Sequence, residues 1–167
     1  MSPEVEASFF LFVGGKKVAE GELLANTERY LDYIREEDEY EGGLELRAPA
    51  APPIVVEDSL PAVVKNLCFL PVPDLAAGRG AVYHYHSQYG QIHLAPEGGA
   101  LLLTGDGIEP ARVERAALIR ALHAAGVRFI QLLEQAQTVA DSPKVASLIV
   151  FLNQQRAVAD EALATLG

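Results

Sequence analysis

Residues 81–105 read AVYHYHSQYGQIHLAPEGGALLLTG, and this stretch decides the fold. Polar and apolar residues alternate through Val82–His86 and again from Gln91 to Leu94, the period of a strand with one buried face. Glycines at Gly90 and at Gly98-Gly99 mark two turns. The stretch predicts a three-stranded antiparallel meander, one face buried and the other open to water.

Moving outward, the periodicity changes from two to 3.6. Gly105-Asp106-Gly107 reads as a turn, and Pro110 as the first residue of a helix reaching about Gln137. Val113, Ala117, Ala121, Ala125, Phe129 and Leu133 step by four along it. Asp141-Ser142-Pro143 ends that helix and starts a second one reaching Leu166, so the chain closes on an antiparallel helix pair. On the N-terminal side, Glu6–Val13 reads as a strand, Gly14-Gly15 as a turn and Lys17–Leu24 as its hairpin partner. Asn26 or Thr27 starts a helix running to about Glu39. Leu44–Arg47 and Ile54–Val56 are short strands on either side of a proline-rich segment, residues 48–53. Asp58-Ser59 caps a helix with Pro61 in its first turn and Leu60, Val63, Val64 and Leu67 on one face. The predicted class is α+β, an antiparallel sheet with helices packed on one face. One domain is expected over residues 1–167, with a sub-boundary at 48–53.

Half of the 167 residues are apolar and 22% are charged, the composition of a folded globular chain. The single cysteine, Cys68, rules out an internal disulfide, and its apolar setting NLCFL reads as a buried, inert thiol. The apolar run FFLFV is too short for a membrane span and follows no basic residue, so a cytoplasmic location without membrane contact is expected. The net charge is −10, and residues 1–60 hold 14 acids against 5 bases, whereas the remainder holds 9 against 8. Such a field repels nucleic acid and attracts basic partners. Arg112, Arg115, Arg120 and Arg128 are too few on this background to form a nucleic-acid patch, and salt bridges to the acidic third are expected instead.

Three histidines fall within the meander. His84 and His86 share a strand face, and an even-length loop puts His93 on that same face, opposite Tyr83 and Tyr85. An HxH strand with a third histidine on its neighbour resembles the zinc site of carbonic anhydrases, which makes His84, His86 and His93 the candidates for a zinc-dependent enzyme. Nothing else in the chain matches that family. No nucleophile elbow and no HExxH occurs, so no catalytic residue is assigned and no cofactor or bound metal is expected.

The other candidate is acidic. Asp32, Glu36, Glu37, Asp38, Glu39 and Glu41 surround one cation, Arg35, and are interleaved with Tyr30, Tyr33 and Tyr40. Tyrosines among carboxylates suit a protein interface, with rings as anchors and charge as steering. The stretch DYIREEDEYEGG, the meander and the terminal helices RAALIRALHAAGVRFIQLLEQ and SLIVFLNQQRAVADEAL together resemble, at the level of a class, the small acidic bacterial immunity proteins of toxin–immunity systems. That resemblance implies a non-enzymatic inhibitor that captures a basic toxin domain. A structural subunit, homodimeric through the open sheet or the terminal helices, is the third reading.

Overall fold

The computed structural model describes residues 5–49 and 51–166. It contains two four-stranded antiparallel sheets. The first, in the order β2-β1-β3-β4, is built from β1 (Glu6–Val13), β2 (Lys16–Ala19), β3 (Glu41–Arg47) and β4 (Ile54–Ser59). The second is a sequential meander of β5 (Ala81–His84), β6 (Gln91–Glu97), β7 (Ala100–Gly105) and β8 (Ala111–Glu114). Helices α1 (Glu20–Ala25) and α2 (Leu31–Glu36) lie between β2 and β3. Helices α3 (Leu60–Val63) and α4 (Val72–Ala76), with a π-helical segment Val64–Phe69 between them, connect the two sheets. Helices α5 (Arg115–Val139) and α6 (Pro143–Leu163) close the chain.

The α+β class and the antiparallel meander stand as expected, with one strand more. Residues 111–114 form β8 rather than the first turn of a helix. Ala111 and Val113 are buried while Arg112 and Glu114 are exposed, a strand alternation that Pro110 disguised as a helix start. The helix begins after it, where the Glu114 carboxylate accepts a hydrogen bond from Ala117 N at 2.6 Å. Other boundaries move: β3 starts at Glu41 rather than Leu44, β4 runs on through Asp58 and Ser59, and α6 stops at Leu163. The hairpin partner of β1 is only Lys16–Ala19, because Glu20 already starts α1. The helix expected to reach Glu39 stops at Glu36, with Glu37 extended at φ −73° and ψ 143°. A run of carboxylates at a helix C-terminus opposes its dipole, and here the chain leaves the helix there. The proline-rich segment, in which residue 50 lies outside the described residues, joins β3 to β4, two strands that pair with each other.

Both sheets turn one face to a shared core. Phe9 and Leu11 of β1 and Leu44 of β3 belong to the same buried cluster as Tyr83, Ile92 and Leu103 of the second sheet. Helix α5 runs through it, burying Leu118, Leu122, Phe129 and Leu133. By length and apolarity α5 could cross a membrane, but that composition is what a helix at the centre of a core requires. Cys68 is wholly buried, and burial pushes its thiol up to about 12, as an inert core cysteine demands. Of the arginines expected to bridge to the acidic third, Arg128 does so, with Nε 2.5 Å from Glu20. Arg112 pairs with Glu97 instead, and Arg115 donates to the carbonyls of Leu75 and Ala76.

Gly126 of α5 packs directly against the π-helical segment. A methyl group there would stand 2.7 and 2.8 Å from two Phe69 ring atoms and 3.1 Å from Cys68 Cβ. The Phe69 ring is wholly buried and has no room to retreat. Gly126→Ala is therefore expected to destabilise the protein by roughly 1–3 kcal/mol through overpacking, despite alanine's better helix propensity. Urea denaturation of the two proteins measures the difference.

Candidate functional site

The end of β4 organises the surface on which the sequence candidates meet. Asp58, 6% exposed, does not cap α3. Its carboxylate accepts hydrogen bonds from His86 N at 2.6 Å, Ser87 N at 2.8 Å and Ser59 N at 2.8 Å, and from the Tyr83 hydroxyl. Burial alone would raise its pKa, but these donors outweigh it and hold the carboxyl below the usual range. Tyr83 titrates far above the ordinary phenol range, through burial and the bond to Asp58. One buried carboxylate thus ties the edge of the first sheet to the β5–β6 loop of the second.

The next two residues pin the acidic segment. Ser59 Oγ donates to the Glu39 carbonyl at 2.6 Å, and Leu60 N donates to the Tyr40 carbonyl at 3.0 Å. From α6, Lys144 Nζ donates to the Glu37 carbonyl and lies 2.8 Å from the Asp38 carboxylate. Residues 37–41 are therefore held by their backbone at three points. Asp32, Glu36, Asp38, Glu39 and Glu41 point their side chains to water, and Glu37 is half-buried.

The tyrosines of the segment separate. Tyr40 is 1% exposed, with φ +49°, and its hydroxyl donates to the Ile34 carbonyl. Its ring meets those of Tyr33 and Phe129 edge-on, at 6.2 and 6.1 Å. It belongs to the core and is no surface anchor, because at this φ the chain turns its side chain under the acidic rim. Tyr33 is half-buried. Its hydroxyl lies beside the Glu41 backbone without a hydrogen bond of ordinary geometry, and burial with the Glu37 and Glu41 charges pushes it up to about 12. Tyr30 is half-buried and donates to Glu22 at 3.2 Å.

The histidines separate as well. The loop from Tyr85 to Gly90 has an even length, and Tyr83 is buried opposite His84, as the alternation requires. His93 pairs with Val82, so it shares the outer sheet face with His84 but lies two pairs along from it, opposite neither His84 nor His86. Its Nε2 is 2.8 Å from the Gln91 side chain. His86 sits in the loop, its Nε2 3.3 Å from the Glu39 carboxylate. Among the described residues no three His, Cys, Asp or Glu side chains converge as metal ligands. What His86 does is join the loop to the acidic rim.

The loop and the rim enclose a shallow groove of about 230 Å³ lined by Phe12, Glu41, Gly42, Glu57, Asp58, Ser87 and Gln88. Gln88 is fixed over it by donating to the Glu57 carbonyl at 3.3 Å. Glu57 and Phe12 were not among the residues singled out from the sequence. Register places both on the outer face with Glu41, through the pairing of Gly43 with Phe10 on one side and Glu57 on the other. The arrangement supplies negative charge on a fixed backbone beside one aromatic ring. Comparisons of the chain with protein-family models, with curated proteins and with solved structures give no match.

Proposed function

We propose that this chain is a non-enzymatic binding protein that captures a basic protein partner on the acidic face formed by Asp32, Glu36, Glu39, Glu41 and Glu57. One observation carries the reading: the backbone of residues 37–41 is pinned from β4 and from α6 while the Asp38, Glu39 and Glu41 side chains are exposed. A fixed array of like charges is unfavourable to the free protein and is relieved by a cationic partner. Preorganisation lowers the ordering entropy lost on binding. The class resemblance to immunity proteins makes that partner a toxin domain, held stoichiometrically in the cytoplasm. The enzyme reading has no support in the positions of His84, His86 and His93, since His86 is engaged by Glu39 rather than by its fellow histidines.

The test is a pull-down from purified components with the protein encoded beside this chain. Retention in a one-to-one complex, lost when Glu36, Glu39, Glu41 and Glu57 are changed together to Gln, is the expected result. Retention that is indifferent to those four changes would move the interface elsewhere. No binding of any basic neighbour would remove the immunity reading.

A further inference from the structure

A free sheet edge invites another strand, and proteins blunt such edges with charge or cover them. Four of the edges here are treated in that way. Where β1 runs past the end of β2, the Glu20 carboxylate accepts from Phe9 N at 3.2 Å and Arg128 donates to the Ala7 carbonyl at 2.5 Å. The end of β4 is met by the β5–β6 loop, through Asp58 and through Gln88 on the Glu57 carbonyl. Strand β2 carries Lys16 and Lys17, and β8 carries Arg112 and Glu114. The edge of β5, Ala81–His84, has neither device. It holds no Lys, Arg, Asp or Glu, and its Val82 side chain is 42% exposed.

Register shows which backbone groups that edge presents. In an antiparallel sheet successive residues turn their N–H and C=O groups to alternate neighbours. Tyr85 N donates to the Gly90 carbonyl at 3.1 Å, which turns Tyr85, Tyr83 and Ala81 toward β6. Asp106 N donates to the Gln91 carbonyl at 3.1 Å, which turns Gln91 and His93 toward β7 and agrees with that phase. Val82 and His84 therefore direct their N–H and C=O groups out of the sheet, and among the described residues nothing pairs with them. His86 is the next residue in that phase, and its amide is already held by Asp58 at 2.6 Å. Alongside Val82 and His84 runs a groove of about 370 Å³, walled on its other side by Asn66, Leu70, Pro71 and Asp74. Leu70 is 40% exposed, and Asp74 is paired with Arg79 at 2.9 Å.

We infer that this groove takes one extended, uncharged peptide segment of a partner protein, which adds to the second sheet as a strand beside β5. Two outward N–H groups and two outward C=O groups in strand phase are complementary to an extended backbone about 4.8 Å away. Exposed Leu70 and Val82 receive an apolar side chain from the segment, while the one carboxylate on the wall already has its cation. The wall also separates a peptide from a second copy of this chain. A single extended chain fits between β5 and residues 66–74. The edge of a folded sheet would bring its next strand, about 4.8 Å further out, into Leu70 and Pro71. Recognition runs through backbone groups of the second sheet, so the site stands or falls independently of the acidic face and its proposed partner.

Nuclear magnetic resonance of the isotope-labelled full chain tests this with a panel of capped, uncharged hexapeptides in which Val, Ile or Leu alternates with Ser or Thr. Binding between ~10 μM and ~1 mM is expected, with the Val82 and His84 amides shifted downfield and their hydrogen exchange slowed roughly tenfold or more. Strand pairing has its own signature. N-methylation of every second amide of the tightest peptide should weaken binding about tenfold or more in one phase and little in the other, since only one phase faces β5. Val82→Pro removes one outward donor at an edge position that tolerates proline. It should weaken binding about tenfold with an unchanged circular dichroism spectrum, and if that variant misfolds the two N-methyl phases still decide. No panel member moving the Val82 and His84 amides at ~2 mM, or equal losses in both N-methyl phases, would overturn the inference. Shifts of those two amides on dilution of the protein alone would give the edge to a second copy and overturn it as well.

Discussion

Replacing Asp58 with alanine is expected to lower the stability of the protein by about 3–5 kcal/mol, the range for breaking a buried, charge-assisted cluster. The change strands the Tyr83 hydroxyl and the amides of His86 and Ser87, and it unfastens the β5–β6 loop from the first sheet. Asp58→Asn keeps the size but replaces one acceptor oxygen by a donor that faces donors, so it should recover only part of the loss. The pH dependence follows from the direction of the shift. The folded carboxyl titrates below its unfolded value of about 3.9. Its contribution is therefore fully present above that value and is lost as the pH falls through the lower, folded one. Urea denaturation at pH 7 should show the full difference between wild type and Asp58→Asn. A series descending from pH 4 should show that difference shrinking. A constant difference across the acid range would mean that the carboxylate charge is not what the donors hold.

Tyr40→Ala is expected to be of similar size, about 3–5 kcal/mol. It empties a site that is 1% exposed, removes edge contacts to Tyr33 and Phe129, and leaves the Ile34 carbonyl without its donor. Alanine does not relieve the positive φ, which strains any residue with a Cβ. Tyr40→Phe isolates the hydroxyl and should cost about 1–2 kcal/mol. Thermal melts separate this core role from an interface role: a surface anchor would leave the melting temperature of the free protein unchanged. Tyr33→Ala is the fairer test of an aromatic anchor, since part of that ring faces solvent.

The contrast between Tyr40 and Tyr33 shows what the sequence could and could not say. Alternation and helical stripes are carried by many residues at once, so β1, the strands of the meander and both long helices were legible. β8 was not, because four residues of alternation after Pro110 cannot outweigh a helical stripe that runs on for six turns. That the strands divide into two sheets depends on long-range pairing, such as Glu41 with Ser59, which no local pattern encodes. Within the site, the acidic run was plain in composition, but which tyrosine turned inward hung on a single positive φ. Asp58 was hidden more thoroughly. Asp-Ser before Leu-Pro is what a helix cap looks like, and only the tertiary fold, which brings residues 83–87 to β4, makes that carboxylate a tie between sheets. His84 and His93 kept the parity their alternation implied. The loop that joins them took His86 out of the strand and gave it to Glu39.

The central claim is the proposal that the acidic rim steers a basic partner, and stopped-flow association with a protein retained in the pull-down tests it most directly. Wild type is compared with the variant in which Glu36, Glu39, Glu41 and Glu57 are Gln, at ~10 mM and ~150 mM salt, where the Debye length is about 30 and 8 Å. Long-range charge acts on encounter more than on the docked state. The variant should associate roughly tenfold or more slowly at low salt, with a nearly unchanged dissociation rate, and the gap should narrow at ~150 mM. Association rates that coincide at low salt would contradict the account and reduce the acidic rim to a solvated surface.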